Sequence, residues 1–169
     1  MSPAEYHVEI WFRITKDESG YPASKEWEQL LAAPVVERPD WFRIASVPFY
    51  LRDVSLGDLV QTKTVRHLEL GKEEVFEFEK IIERGGHNTY RLLLRKKNEN
   101  DPEFTTAELI GKGLAIEERD GDFFAVDVPP SLNQQMIDSF LVAEANAGRW
   151  EMQDGYLHSV NTTPPEFPR

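Results

Sequence analysis

The second half of the chain contains an ordered series of helix and strand boundaries, which restricts the possible folds more than any other feature. Asp101-Pro102 is typical of a helix start, with aspartate at the N-cap and proline at the first helical position. We expect this helix to end near Ile110, before two glycines. Asp120-Gly121 is typical of a tight hairpin turn, so two short strands should flank it.

A second helix is predicted between Ser131 and Gly148. Ser131 and Gln134 have the spacing of a capping box, and Gly148 follows the last apolar repeat. One face of this helix should carry Leu132, Met136, Ile137, Phe140 and Leu141. With a final strand over 150–157, the element order becomes β-α-β-β-α-β. This order predicts a ferredoxin-like unit, an antiparallel sheet with both helices on one face.

The first half of the chain is typical of short strands. Val8, Ile10, Phe12 and Ile14 alternate with polar residues and should share a buried face. A turn over 37–40 separates further strands over 41–45, 59–70 and 74–82. Residues 26–34 fit either a short helix or a strand. Four or five short antiparallel strands without long helices predict a small barrel or half-barrel.

We therefore expect an α+β protein with an internal boundary near residue 85. Residues 1–84 should form a small antiparallel, barrel-like β subdomain. Residues 85–160 should form the ferredoxin-like α+β subdomain, and residues 161–169 a flexible tail. A chain of 169 residues is long enough to bury a core without disulfides.

The acidity of the chain indicates what kind of partner to expect. Thirty aspartates and glutamates against nineteen lysines and arginines give a net charge of −11. Surfaces that follow phosphates need the opposite sign, so nucleic acid and anionic membranes are disfavoured as partners. An acidic surface serves solubility, or it attracts a basic protein.

Composition also excludes several classes of site. The sequence has no cysteine, which excludes disulfides, zinc ribbons, iron–sulfur clusters and thiol nucleophiles. No apolar run reaches the roughly 20 residues of a membrane span, and the amino-terminal residues lack the pattern of a signal peptide. These features favour a soluble, cytoplasmic protein. We expect no cofactor and no metal, because His7, His67 and His158 lack ligand spacing.

Two groups of residues are candidates for function. Acidic residues cluster at the predicted hairpin and could dock a basic partner or form ordinary solvated surface; they are Glu117, Glu118, Asp120 and Asp122. His87 lies in a loop between the two predicted halves, where a cleft could open and an imidazole could act as a base. The residues of this possible cleft are Arg84, His87, Asn88, Arg91 and Asp127. The same loop is also ordinary turn sequence.

Six stretches of the chain, in order, resemble a bacterial family of stand-alone proteins known as a domain of unknown function, DUF4265. The stretches are His7–Arg13, Val47–Phe49, Val54–Val60, Glu83–Arg91, Phe124–Pro130 and Gly148–Glu151. The resemblance extends from about His7 to His158. It departs from the family pattern at Gly86, where a serine is expected. The resemblance implies no established activity.

These observations leave two main hypotheses and a third that sequence cannot separate from the first. The first is a non-catalytic protein-binding module, of the immunity-protein or antitoxin type, that neutralises a basic, toxin-like partner. The alternative is a small-ligand-binding protein or enzyme that uses the cleft around His87. The third is a regulatory module that dimerises through its sheet. The sequence contains no recognisable catalytic set and does not define the oligomeric state.

Overall fold

The structure is a computed structural model that describes residues 6–15, 26–67, 71–95 and 101–158. The predicted tail over 161–169 lies outside the described residues. The chain divides into two compact units, Met1–Gly85 and Gly86–Arg169. The described residues form nine strands and two helices, a mixed and mostly β arrangement that fits the predicted α+β class.

The first unit contains five strands that form a closed barrel in chain order. They are β1 (Val8–Arg13), β2 (Trp27–Val35), β3 (Arg38–Ile44), β4 (Leu59–His67) and β5 (Lys72–Glu83). Consecutive strands pair antiparallel. The ring closes with a parallel pairing of β1 and β5, at Ile10 and Phe76. The predicted antiparallel pairing therefore holds for all consecutive strands, and the closing pair is parallel because, with five strands in chain order, the first and last run in the same direction.

Residues 26–34, which the sequence left open, belong to strand β2. Glu28, Leu30 and Ala32 are buried at alternate positions, as a strand on a closed barrel requires. Pairing on both edges of the strand outweighs the helix propensity of its residues. The predicted turn over 37–40 is too long, because β3 already begins at Arg38. A register shift after Pro34 shortens this turn.

The barrel interior is apolar, and β1 contributes to it as predicted. Ile10, Phe12 and Ile14 are buried, and Val8 packs against the same cluster. The remaining buried residues of this core are Leu30, Ala32, Phe42, Ile44, Leu51, Val54 and Val60. Trp11 is buried on the opposite face of β1, where its ring stacks on His67 and meets the edge of Trp27.

The second unit has the element order predicted from its boundaries. Its elements are β6 (Asn88–Leu94), α1 (Pro102–Gly111), β7 (Ala115–Arg119), β8 (Phe123–Val128), α2 (Gln134–Asn146) and β9 (Trp150–Leu157). The sheet order is β7-β8-β6-β9, and every pairing is antiparallel. The hairpin turn has positive φ angles at Asp120 and Gly121, the backbone that joins two twisted strands tightly.

Both helices pack on one core. Leu109 of α1 and Leu141 of α2 are fully buried in the same cluster as Trp150. Arg149 links the two helices by donating hydrogen bonds to Glu108 of α1 and Glu144 of α2. The helices therefore cover the same face of the sheet.

The predicted cap of α1 is confirmed, whereas that of α2 is wrong. The Asp101 side chain accepts from the Glu103 N–H at 2.9 Å, with Pro102 opening the helix. In α2, the cap is Asn133, which accepts from the Met136 N–H at 3.1 Å. A turn closed by the bond from Leu132 N–H to the Pro129 carbonyl delays the helix beyond Ser131. Met136 consequently lies on the solvent side of α2 and not in the core.

Candidate functional site

His87 and Asp127 form a close pair in the second unit. Asp127, on β8, is 1% exposed, and both of its oxygens lie near His87 Nδ1, at 2.8 and 3.0 Å. A carboxylate only accepts hydrogen bonds, so Nδ1 of His87 carries the hydrogen and a neutral ring keeps its lone pair at Nε2. This arrangement of imidazole and carboxylate can hold a general base in one orientation.

Two other candidate residues lie on β6 beside this pair. Thr89 is directly opposite Asp127, so the alternation of β6 places Thr89 and Arg91 on the sheet face that the helices do not cover. Arg91 is only 3% exposed and donates to the Asp154 carbonyl at 3.5 Å. Asn88 is buried on the other face, where it hydrogen-bonds Tyr90. The structure therefore places Arg91, but not Asn88, on the face that carries Asp127.

Arg84 belongs to the first unit, where it has a structural role. Its guanidinium donates to the Asp58 carboxylate at 3.0 Å and to the Asp53 carbonyl at 2.6 Å. Asp58 also accepts from the N–H groups of Ser55 and Gly85. A buried carboxylate with several donors stabilises its surroundings, so Arg84 is part of an anchor for the loop before β4.

The four acidic residues of the predicted docking cluster do not share one surface. Glu117 and Glu118 are neighbours on β7, so their side chains leave opposite faces of the sheet. Glu118 and Asp120 are exposed, whereas Glu117 and Asp122 are half-buried. The hairpin therefore presents two exposed carboxylates, fewer than the four that the sequence predicted.

The two helices of the second unit also carry exposed apolar side chains. Phe104 and Ile110 on α1 are 65% and 56% exposed, and Met136 and Val142 on α2 are 67% and 40% exposed. We call these four residues the helix-layer patch. The sequence analysis missed this surface. The sequence contains a signal for this surface, because α1 has apolar residues beside Leu109 and also on the face opposite Leu109.

The helices that carry this patch are acidic. They contain Glu103, Glu108, Asp138 and Glu144 and no lysine or arginine. Arg149 neutralises part of this charge by pairing with Glu108 and Glu144, at 2.7 and 3.0 Å. The pKa of Arg149 is raised because the hydrogen bonds and charges of these two glutamates outweigh the lowering by burial, the largest single effect.

A cluster of acidic oxygens lies between α2 and the sheet. Tyr90 is buried, and its hydroxyl donates to Asp138 at 2.7 Å. Burial, followed by the hydrogen bond to Asp138, raises the pKa of Tyr90. Desolvation and the charge of Asp138 raise the pKa of Asp154.

Two further types of site are absent from the described residues. No three histidine, aspartate or glutamate side chains in that part of the chain are arranged to hold a metal ion. None of the helices there has the length and apolar character needed to cross a bilayer.

Comparisons with known proteins show a similar fold and a family. A hypothetical protein from Neisseria gonorrhoeae, known from a crystal structure, has a similar fold, with a TM-score of 0.64 and 14% sequence identity. The match covers 92% of this chain and 98% of that one. A search of the curated proteins found no match. The family model "Domain of unknown function (DUF4265)" matches residues 28–152, most of the chain. The chain therefore belongs to the DUF4265 family.

Proposed function

We propose that this protein is a non-catalytic protein-binding module whose partner is a basic protein, as for an immunity protein or antitoxin that neutralises a toxin. The observation that carries the proposal is the helix-layer patch, defined by Phe104, Ile110, Met136 and Val142. Large apolar side chains that a domain leaves exposed are candidates for protein interaction sites.

The position of the patch supports docking of another protein. Arg149 ties α1 and α2 together, and Lys112 at the end of α1 lies 4.2 Å from the centre of the Phe140 ring on α2. The two helices thus form a firm platform. A helix that is apolar on both sides is normally covered on both sides. A partner would provide the missing cover for α1.

The charge of the two helices indicates the chemistry of that partner. The helices carry four carboxylates, of which Arg149 pairs with two, and the chain has a net charge of −11, so a cationic partner is favoured. Opposite charges accelerate encounter, and buried apolar side chains then hold the complex. The partner segment should therefore be an amphipathic helix with basic residues beside its apolar stripe.

A synthetic peptide tests this chemistry directly. The probe is a leucine–lysine peptide of about four helical turns (~14 residues), patterned as an amphipathic helix. Its counterpart replaces each lysine with glutamate. Binding is measured by isothermal titration calorimetry at low and high salt, using the full chain and the double variant Phe104→Ser/Met136→Ser. The matched control is Val36→Ser/Leu93→Ser, which removes two exposed apolar side chains elsewhere.

The basic peptide should bind the full chain, and high salt should weaken that binding because it screens the charges. The Phe104→Ser/Met136→Ser variant should lose about tenfold in affinity, while the control variant should not. The acidic peptide should not bind. Absence of binding, or equal losses in both double variants, would contradict the proposal.

A second candidate function rests on the pairing of His87 with Asp127. An imidazole oriented by a buried carboxylate suits general-base chemistry on a small ligand. Hydrolysis of p-nitrophenyl acetate provides a simple readout. For an active base, His87→Ala and Asp127→Asn should both lower the rate about tenfold, whereas His7→Ala should not. Equal rates in all three variants would argue against this candidate.

We further propose a fold group for each unit and a cellular location for the protein. The element order β-α-β-β-α-β and the sheet order β7-β8-β6-β9 support a ferredoxin-like second unit. The ring of five strands supports a small barrel as the first unit. The absence of cysteine from the sequence favours a cytoplasmic location.

A further inference from the structure

We infer that the barrel of the first unit holds a binding site for a small aromatic anion. A cavity of about 330 Å³ lies in this unit. Its volume is within the range of ligand sites in proteins, roughly 300–1,000 Å³. The residues that line it are Phe12, Arg13, Thr15, Leu51, Arg52, Asp53, Val54 and Phe78. This site is independent of the proposed docking surface, which lies in the second unit.

The wall of the cavity toward the barrel is apolar and aromatic. Phe12 and Phe78 stack with their ring centres 4.8 Å apart and 23° between their planes. Leu51 and Val54 belong to the buried barrel core, so their side chains extend this wall. A flat apolar ring is the ligand group that such a wall accommodates best.

The charged residues of the lining favour an anion. The lining includes two basic residues, Arg13 and Arg52, and one acidic residue, Asp53, so its residues have a net positive charge within a chain of net charge −11. The Arg13 guanidinium lies 4.6 Å from the centre of the Trp27 ring. Stacking uses the flat face of a guanidinium and leaves its N–H edge for a carboxylate or sulfonate.

The loop that forms one side of the cavity is held in place before any ligand arrives. Glu28 is buried, and its carboxylate accepts from the N–H groups of Phe49, Tyr50 and Leu51, at 2.7, 3.0 and 3.2 Å. Asp58 fixes the other end of the loop through the Ser55 N–H. A preformed wall reduces the entropy lost on binding, so even a small ligand can bind with measurable affinity.

The probe is 2-naphthoate, a flat aromatic carboxylate, compared with the uncharged 2-naphthalenemethanol. Binding to the full chain is measured by titration calorimetry and by amide shifts in ¹⁵N NMR spectra. The test variant is Arg13→Gln/Arg52→Gln. Its matched control is Arg38→Gln, since Arg38 also stacks on a barrel tryptophan, 4.7 Å from the centre of the Trp41 ring, but does not line the cavity. A third variant, Thr15→Trp, fills the cavity from an exposed position.

The naphthoate should bind at least about tenfold more tightly than the alcohol, and its shift changes should centre on residues 51–54. Arg13→Gln/Arg52→Gln should weaken binding about tenfold, Thr15→Trp should weaken it similarly, and Arg38→Gln should leave it unchanged. The inference would be overturned by equal binding of the two compounds, by shift changes elsewhere, or by an equal loss in Arg38→Gln. Absence of naphthoate binding would overturn it as well. None of these results affects the peptide test of the second unit.

Discussion

The two units of this chain treat their outer apolar surfaces differently. In the barrel, large outer rings are covered by polar neighbours: Arg13 lies over Trp27, Arg38 over Trp41, and His67 stacks on Trp11. In the second unit, Phe104 and Met136 are about two-thirds exposed. The large aromatic rings on the outer side of the barrel strands are covered within the unit, although Leu31 and Val36 are exposed, whereas Phe104 of the helix layer lacks such a cover. This contrast is the main reason for placing the partner on the second unit.

Buried charge differs between the units in the same way. In the barrel, the carboxylates of Glu28 and Asp58 accept from backbone N–H groups and so fix a loop, and Asp58 pairs in addition with Arg84. In the second unit, buried or half-buried charges pair mainly with side chains, as in His87 with Asp127 and Arg149 with Glu108. Backbone partners serve architecture, whereas side-chain pairs can respond to protonation or to a ligand. The predictions below test this division.

Replacing Glu28 with alanine should have the largest effect on stability. Three buried backbone N–H groups would lose a charged acceptor, at a cost of about 3–5 kcal/mol in the free energy of unfolding. Urea denaturation measures this change. Glu26→Ala is the control, because that nearby side chain is exposed. A loss below about 1 kcal/mol in Glu28→Ala would show that the loop does not depend on this carboxylate.

Replacing Arg149 with methionine should have an intermediate effect. The variant keeps most of the side chain's length but leaves Glu108, Glu144 and the Thr105 hydroxyl without their shared donor. We expect a loss of about 2 kcal/mol, between the values for exposed and for buried ion pairs.

Arg149→Lys provides the matched control for this prediction. Lysine restores the charge but not the forked geometry of the guanidinium, so it should recover only part of the loss. Unfolding free energies of the two variants that agree within error would contradict a role for the fork.

Asp154 should give the smallest effect, seen as a pH dependence. Its folded-state pKa is raised above the ordinary 3.8 by desolvation and by Asp138, so the folded protein binds the proton more tightly than the unfolded chain. Stability should therefore fall as the pH rises from the ordinary pKa through the raised one. Asp154→Asn should remove this fall and stabilise the protein at neutral pH by less than about 1 kcal/mol, because the side chain is exposed.

Urea unfolding at a series of pH values measures this dependence. Glu151→Gln, an exposed glutamate on the same strand, is the control and should leave the pH dependence unchanged. A wild-type stability that rises over the same pH range would contradict the raised pKa of Asp154.

The fold was predictable where local signals agree with tertiary structure. Asp101-Pro102 and Asp120-Gly121 locate a cap and a turn through backbone chemistry that depends on few distant residues. Strand β2 was ambiguous because its edge pairing, and not its own sequence, determines its conformation. The start of α2 was predicted at Ser131, too early in the chain, because residues Pro129–Leu132 form a turn before Asn133.

The candidate sites depended on side-chain placement, which sequence spacing does not define. The sequence placed His87 and Asp127 in one candidate group, but only register brings Asp127 opposite Thr89 and next to the His87 loop. The four acidic residues do not form one surface, because the side chains of Glu117 and Glu118 point to opposite faces of β7. Predicting the helix-layer patch from the sequence requires knowing which face of α1 is buried.

The most direct test of the helix layer as a docking surface is an NMR titration of the ¹⁵N-labelled full chain with the leucine–lysine peptide. The chemical shifts of all assigned amides are followed to saturation. The helix-layer hypothesis predicts that the largest changes fall within α1 and α2, around Phe104, Ile110, Met136 and Val142. Changes centred instead on the acidic β7–β8 hairpin, or on the barrel, would contradict it.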